Sequence, residues 1–151
     1  MNEEERTPSV KIGIIARILR KRFDFRARSI GLTSAQWRTI AVVHSTPGIT
    51  QRGIASRLEV GDVTIGRLID RLCEEGWIER RPDPNDRRAY RIYLAPSAGP
   101  LLGRLAALGA DEERITFAGI SAEERARFEA VLDRIWQNLQ TVAVEVEEFA
   151  A

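Results

Sequence analysis

Residues 62–94 read DVTIGRLIDRLCEEGWIERRPDPNDRRAYRIYL, and the fold turns on where the period of this stretch changes. Ile65, Leu68, Ile69 and Leu72 recur at three- and four-residue steps, which predicts a helix from about Asp62 to Glu75. Gly76 stands where a helix C-cap favours a residue without a Cβ. From Trp77 the helical period is gone. Trp77–Arg81 reads as a strand and Pro82-Asp83-Pro84-Asn85-Asp86 as a loop of turn residues. Ala89–Leu94 reads as the returning strand, with Tyr90, Ile92 and Leu94 on one face. Just upstream, Thr50 is placed to cap a short helix through Ile54, Ala55 and Leu58, and Val60-Gly61 makes the turn into the next. Two short helices joined by a tight turn form a helix-turn-helix. With a charged hairpin directly behind it, the pattern is that of a winged helix.

Further out the chain reads as helix on both sides. Val10, Ile14, Ile15, Ile18 and Leu19 give a helical period from about Ser9, and Gly31 stops it. Thr33 and Gln36 have the spacing of a capping box, opening a helix that reaches about Ser45 before Pro47-Gly48. After the hairpin, Ser97 is the expected cap of a helix running through Leu101, Leu102, Leu105 and Leu108 to about Phe117, with Pro100 in its first turn. Gly119 ends it. Ser121, with Glu124 three residues on, caps a final helix with a stripe of Phe128, Val131, Ile135, Leu139, Val142, Val146 and Phe149. The expected architecture is mostly α with a small β-hairpin wing, one domain over residues 1–151. A winged helix-turn-helix core at about 33–95 is flanked by helical arms at about 9–31 and 97–149.

Composition narrows the function. The chain has 151 residues, one cysteine (Cys73) and one histidine (His44). That excludes an internal disulfide and a cysteine-based metal cluster, and leaves no second imidazole for a relay. No apolar run is long enough to span a bilayer and no secretory signal is evident, so the expected location is the cytoplasm. The carboxylates lie on helix faces and loops without a partnered nucleophile or metal set, so no enzyme and no cofactor is read here. The net charge of +1 hides a gradient: Met1–Ile49 carries +5, Thr50–Leu94 +1 and Ala95–Ala151 −5. Of the 23 basic residues only Lys11 and Lys21 are lysines, a bias that suits phosphate or guanine but equally follows a GC-rich coding sequence.

The helix from Asp62 is the candidate reader of a DNA major groove, which admits a helix and is usually read from its first turns. Those turns offer Asp62, Thr64, Gly66 and Arg67. Thr64 has a hydroxyl and a methyl for base edges, Arg67 a fork for guanine or phosphate, and Gly66 permits close backbone approach. Thr50, Gln51 and Arg71 are further candidate contacts. The plain alternative is local capping by Thr64 and a surface pair between Arg67 and Asp70. At the hairpin tip, Arg88 suits a narrow minor groove with the Asp86 carboxylate holding its extended rotamer, and Arg87 suits phosphate. The plain alternative is a solvated turn with ion pairs worth little.

These segments resemble the MarR family, the multiple-antibiotic-resistance-type regulators. The resemblance is carried by LTSAQWRTIAVV, PGITQRGIASRL, VTIGRLIDRLCEEGWIERR and DPNDRRAYRIYLAP, and the wing DPNDRR with Ile92 and Leu94 is its most specific part. Departures are Gly53 where the family usually has glutamate, Ala95 where a threonine usually caps, and Ala98 where glycine is common. The resemblance implies that Arg88 enters the minor groove beside Asp86 and that the helix from Asp62 reads the major groove. It implies a homodimer built from the terminal helices, on a pseudo-palindromic operator, most often a repressor that a small aromatic or phenolic effector releases. The stripe of Val131, Ile135, Leu139, Val142 and Val146 is the expected dimer interface, the alternative being packing within its own chain. Arg17, Trp37 and His44 are the candidate effector pocket; the alternative for His44 is an ordinary place on the inner face of its helix. Cys73 is read as structural, because Glu74 and Glu75 would raise its pKa. The rival reading of the whole is a winged helix used for protein–protein contact.

Overall fold

The computed structural model describes residues 7–150, with side chains through Thr141. It comprises two compact units divided after Glu112. The first unit contains α1 (Pro8–Arg28), α2 (Ser34–Ser45), β1 (Ile49–Thr50), α3 (Gln51–Leu58), α4 (Asp62–Glu74), β2 (Ile78–Pro82) and β3 (Tyr90–Leu94), then a 3-10 turn (Pro96–Ala98) and most of α5 (Gly99–Thr116). The second holds the end of α5 and α6 (Ala122–Ala150).

Local chemistry sets most boundaries. Thr33 Oγ1 accepts from the Gln36 amide and Gln36 Oε1 from the Thr33 amide, a complete capping box on α2. Ser121 and Glu124 do the same for α6. Thr50 caps α3 by accepting from Gly53 N, but Gly53 has no side chain to return the bond. A Cβ there would lie 2.8 Å from Ile49 Cγ1, so the missing glutamate coincides with a close approach of Ile49. α4 ends in a Schellman motif: Gly76 N donates to Cys73 O and Trp77 N to Leu72 O, with Gly76 at φ 76°.

β3 is the central strand of a three-stranded antiparallel sheet ordered β1-β3-β2. Ile49 pairs with Ile92 on one side, and Arg80 pairs with Ile92 and Ile78 with Leu94 on the other. The core under it is Ile40, Val43, Ile54, Ile65, Ile69, Leu72, Ile78, Ile92 and Leu101, each at most 2% exposed. Burying such a side chain contributes about 1.5–3 kcal/mol, so this cluster holds the helix-turn-helix and the wing root in one body.

Three local expectations are corrected. The two-residue β1 was not expected, because its only support is pairing with a strand more than forty residues away. β2 begins at Ile78 and β3 at Tyr90, one residue later than read in each case. Tyr90 shares the face of Ile92 and Leu94, but lies where the hairpin runs past the core: it is 53% exposed, while Ile92 is buried and Leu94 half-buried. Ser97 does not cap the helix after the wing; its hydroxyl donates to Gly76 O at 2.5 Å, and the uncapped 3-10 turn leads into α5.

No side chain of α6 through Thr141 is buried, and Phe128, Val131, Trp136 and Leu139 are 46–65% exposed. Among the described residues no helix is long and apolar enough to cross a membrane, and no cluster of His, Cys, Asp and Glu is fit to hold a metal.

Candidate nucleic-acid interface

α4 buries Ile65, Ile69 and Leu72 and turns the opposite face outward. At about 100° per residue, Val63 and Arg67 lie nearly opposite the buried line and Thr64 and Arg71 on one flank. Asp62, Thr64, Arg67 and Arg71 are exposed. Arg67 is in no ion pair with Asp70, which instead binds Arg80 at 2.6 Å. Arg71 is drawn along the helix to Glu75 at 2.9 Å, and Glu75 also accepts from Gln36 Nε2. Arg67 is therefore the more available guanidinium of the two. Gly66 faces α3: a Cβ there would sit 3.3 Å from Gln51 Nε2, so its small size is used in packing the two helices. Gln51 is half-buried at that contact, and Thr50 is occupied as the α3 cap.

The wing tip departs from expectation in how its carboxylates work. Asp86 Oδ1 accepts from the backbone amide of Arg88 at 2.9 Å, and Ala89 N donates to Asp86 O at 3.0 Å. Asp86 thus shapes the tip backbone and does not hold the Arg88 guanidinium. Arg87 and Arg88 are exposed, and neither is ion-paired among the described residues. The carboxylate–arginine clamp lies one step inward, between Asp83 and Arg91. Arg91 Nε donates to Asp83 Oδ2 at 2.5 Å, while its Nη1 donates to Gly48 O at 3.2 Å. Asp83 Oδ1 accepts from Asn85 N at 2.8 Å. The Asn85 amide and then the Arg91 guanidinium hold the Asp83 carboxyl below the usual carboxylate range. One buried aspartate therefore fixes the turn, the strand and, through Arg91, the loop before β1. Sequence reading missed this pair. Its only signal was the eight-residue spacing across a hairpin, which needs the register to become a contact.

On the outer side of β2, Arg81 stacks over Tyr93 with its guanidinium carbon 4.3 Å from the ring centroid and also pairs with Glu79. That leaves the tip arginines as the unengaged cations of the hairpin. Such an arrangement, a helix with an outward polar face beside a braced loop ending in exposed arginines, is chemically suited to a polyanion with two adjacent grooves.

Comparison with known proteins agrees. A model of the MarR family matches residues 30–89, which span α2 through the tip of the wing. A crystal structure of the transcriptional regulator PA3341 is 30% identical, covering 88% of this chain and 98% of that one, at a TM-score of 0.75. The chain belongs to the MarR family. A crystal structure of MarR is 29% identical over 89% of this chain and 99% of that one, at a TM-score of 0.69. The HTH-type transcriptional regulator YybA of Bacillus subtilis (strain 168) is 25% identical over 130 residues, 86% of this chain and 87% of its own length. The chain is a winged-helix, DNA-binding transcriptional regulator of this family.

Seen as a MarR-family chain, its effector candidates are dispersed. Trp37 packs against Phe23 with centroids 4.6 Å apart and the rings tilted by 53°, and its indole Nε1 donates to Asp24 Oδ1 at 2.7 Å. Arg17 is exposed on α1 about 10 Å along the axis from Asp24, at seven residues of helical rise. His44 is exposed, not on the inner face: Gln36, Thr39, Ile40 and Val43 are the buried line of α2, and position 44 falls roughly 90° from its centre. Trp37 and His44 share a flank of α2, and Trp37 is already engaged by α1.

Cys73 is half-buried in α4. Burial is the main cause that pushes its thiol up; Arg80 opposes it, and Asp70 and Glu74 add to it. The direction is the one expected, but the first cause is packing and Glu75 is not among the causes. Of the expected interface stripe, Val131 is 50% and Leu139 62% exposed and Ile135 half-buried. Val142 and Val146 lie outside the residues whose side chains are described.

Proposed function

We propose that this regulator is a homodimer that binds a pseudo-palindromic operator and represses transcription until a small aromatic or phenolic molecule releases it. The observation that carries the DNA reading is the pair of exposed cationic elements on one buried core: Arg67 on α4 and Arg87 and Arg88 on a wing whose backbone Asp83 and Asp86 fix. In this reading α4 enters the major groove, Arg88 the adjacent minor groove, and Arg87 a phosphate. Thr64 and Arg71 act at the flank of α4, and Thr50, Gln51 and Asp62 at its entrance.

The dimer is supported by the apolar stripe on α6, in which Val131 and Leu139 are 50% and 62% exposed. Two-fold symmetry then asks for two half-sites about one helical turn (roughly 10–10.5 bp) apart. The effector is supported by the family and by the aromatic pair Phe23–Trp37 at the α1–α2 contact, with Arg17 and His44 as outer candidates.

The test is selection of bound duplexes from a random pool, then titration of selected and scrambled DNA at several salt concentrations. A symmetric selected site bound far more tightly than scrambled DNA, with a steep salt slope, is expected. Equal binding of both, or no enrichment, overturns the operator reading. Displacement by a panel of phenolic and benzoic compounds tests the effector.

A further inference from the structure

We infer that Val63 reads the C5-methyl group of a thymine in the operator. This rests on the reading above that α4 enters the major groove. Val63 stands in the first turn of α4, the second residue of the helix, and is 71% exposed. A β-branched apolar side chain there does nothing for its own chain: the core line of the helix is Ile65, Ile69 and Leu72, and Val63 points about 150° away from it. Valine is also a poorer helix former than alanine at an exposed position.

Its surroundings name the occupant. Val63 and Arg67 are four residues apart and share the outward face, so the apolar group sits one turn before the most available guanidinium of the helix. Asp62 and Thr64 flank it, and all four are exposed. A large protein partner would meet mostly charged groups around one valine. A major groove presents the matching pattern: phosphates and guanine for Arg67, and on the base edges a single apolar feature, the thymine methyl. Four residues of helix rise span about 6 Å, or roughly two base steps at 3.4 Å each. The methyl and the base or phosphate met by Arg67 should therefore lie within about two base pairs of one another.

The experiment replaces each thymine of the selected operator in turn by deoxyuridine, which removes only the methyl. Full-length wild type and Val63→Ala are titrated on every duplex. Val63→Ala places a better helix former on the surface, and a thermal melt matching wild type confirms that it folds. For wild type, one symmetric thymine pair should be sensitive, with binding weakened about fourfold per methyl, the equivalent of one small buried apolar group. Val63→Ala should bind the unmodified operator more weakly by a similar factor and be indifferent to deoxyuridine at that pair. If the wild type binds the operator specifically yet no single deoxyuridine weakens it, or if Val63→Ala keeps the same sensitive pair, the inference is wrong while the operator reading stands. If no specific operator is selected at all, it is the operator reading that has failed.

Discussion

The helix-turn-helix core and α6 are built from similar apolar residues and end in opposite states. In the core, Ile40, Ile54, Ile65, Ile69 and Leu72 are all fully buried within one chain. Along α6, Phe128, Val131, Trp136 and Leu139 are 46–65% exposed, although at about 100° per residue they share one side of the helix. Periodicity marks a face that wants burial; it does not say what buries it. In the core, α2, α3 and α4 pack on one another and on the sheet, so their apolar faces are closed within one unit. The α6 stripe is open, and it is the feature that calls for a second surface.

The strongest way to break this contrast is Leu139→Glu. A carboxylate in the middle of the stripe must be desolvated or force the helices apart. The mutant should sediment as a monomer, or be insoluble, and lose tight operator binding. A dimer with normal affinity would mean that the stripe is no interface. Ile69→Ala attacks the closed side instead. It should cost about 2–5 kcal/mol of stability by opening a cavity, read from the denaturation midpoint, while Leu139→Glu should leave the melt of the core far less changed. Comparable losses in both would erase the distinction.

Within the core unit, the wing tip contrasts with the wing root. Arg88→Ala removes a side chain with no ion-pair partner among the described residues, so stability should hold while operator affinity falls by about 1–3 kcal/mol. Arg87→Ala should weaken operator and scrambled DNA alike and flatten the salt slope. Titration of both mutants at several salt concentrations separates them. A smaller stability loss than that of Ile69→Ala is expected from Asp83→Asn at neutral pH in a melt, because the variant removes the charge that Arg91 meets. Because the folded-state pKa of Asp83 lies below its ordinary value, its ionised form stabilises the fold above about pH 4 and that contribution is lost as pH falls through the lower folded value. The acid limb of wild type should therefore be steeper than that of Asp83→Asn. Parallel acid limbs would show that the clamp contributes nothing through its charge.

Much of the site was legible before the structure. The caps Thr33, Thr50 and Ser121, the stop at Gly76 and the position of the wing all follow from interactions within a few residues. The role of Asp86 was legible only in outline. Its place at the tip was clear, but whether its carboxylate met a guanidinium or an amide depended on the turn geometry. His44 was misplaced because counting steps from Ile40 and Trp37 puts it near two apolar residues without saying which of them faces the core.

By itself the sequence determined the order of elements, the helix-turn-helix with its hairpin, and the exposed arginines of the wing, because caps, turns and periodicity act over fewer than about ten residues. Tertiary structure decided the rest. It made β1 from two residues by laying them against β3. It aimed Asp83 at Arg91 and left the Arg88 guanidinium without an ion pair among the described residues. It set Glu112 of α5, nearly buried, between Arg22 and Arg26 of α1, with Arg22 foremost in holding its carboxyl below the usual range. Those partners are separated by 90 and 86 residues. No local pattern encodes such a pairing; it exists only once packing has fixed which faces meet.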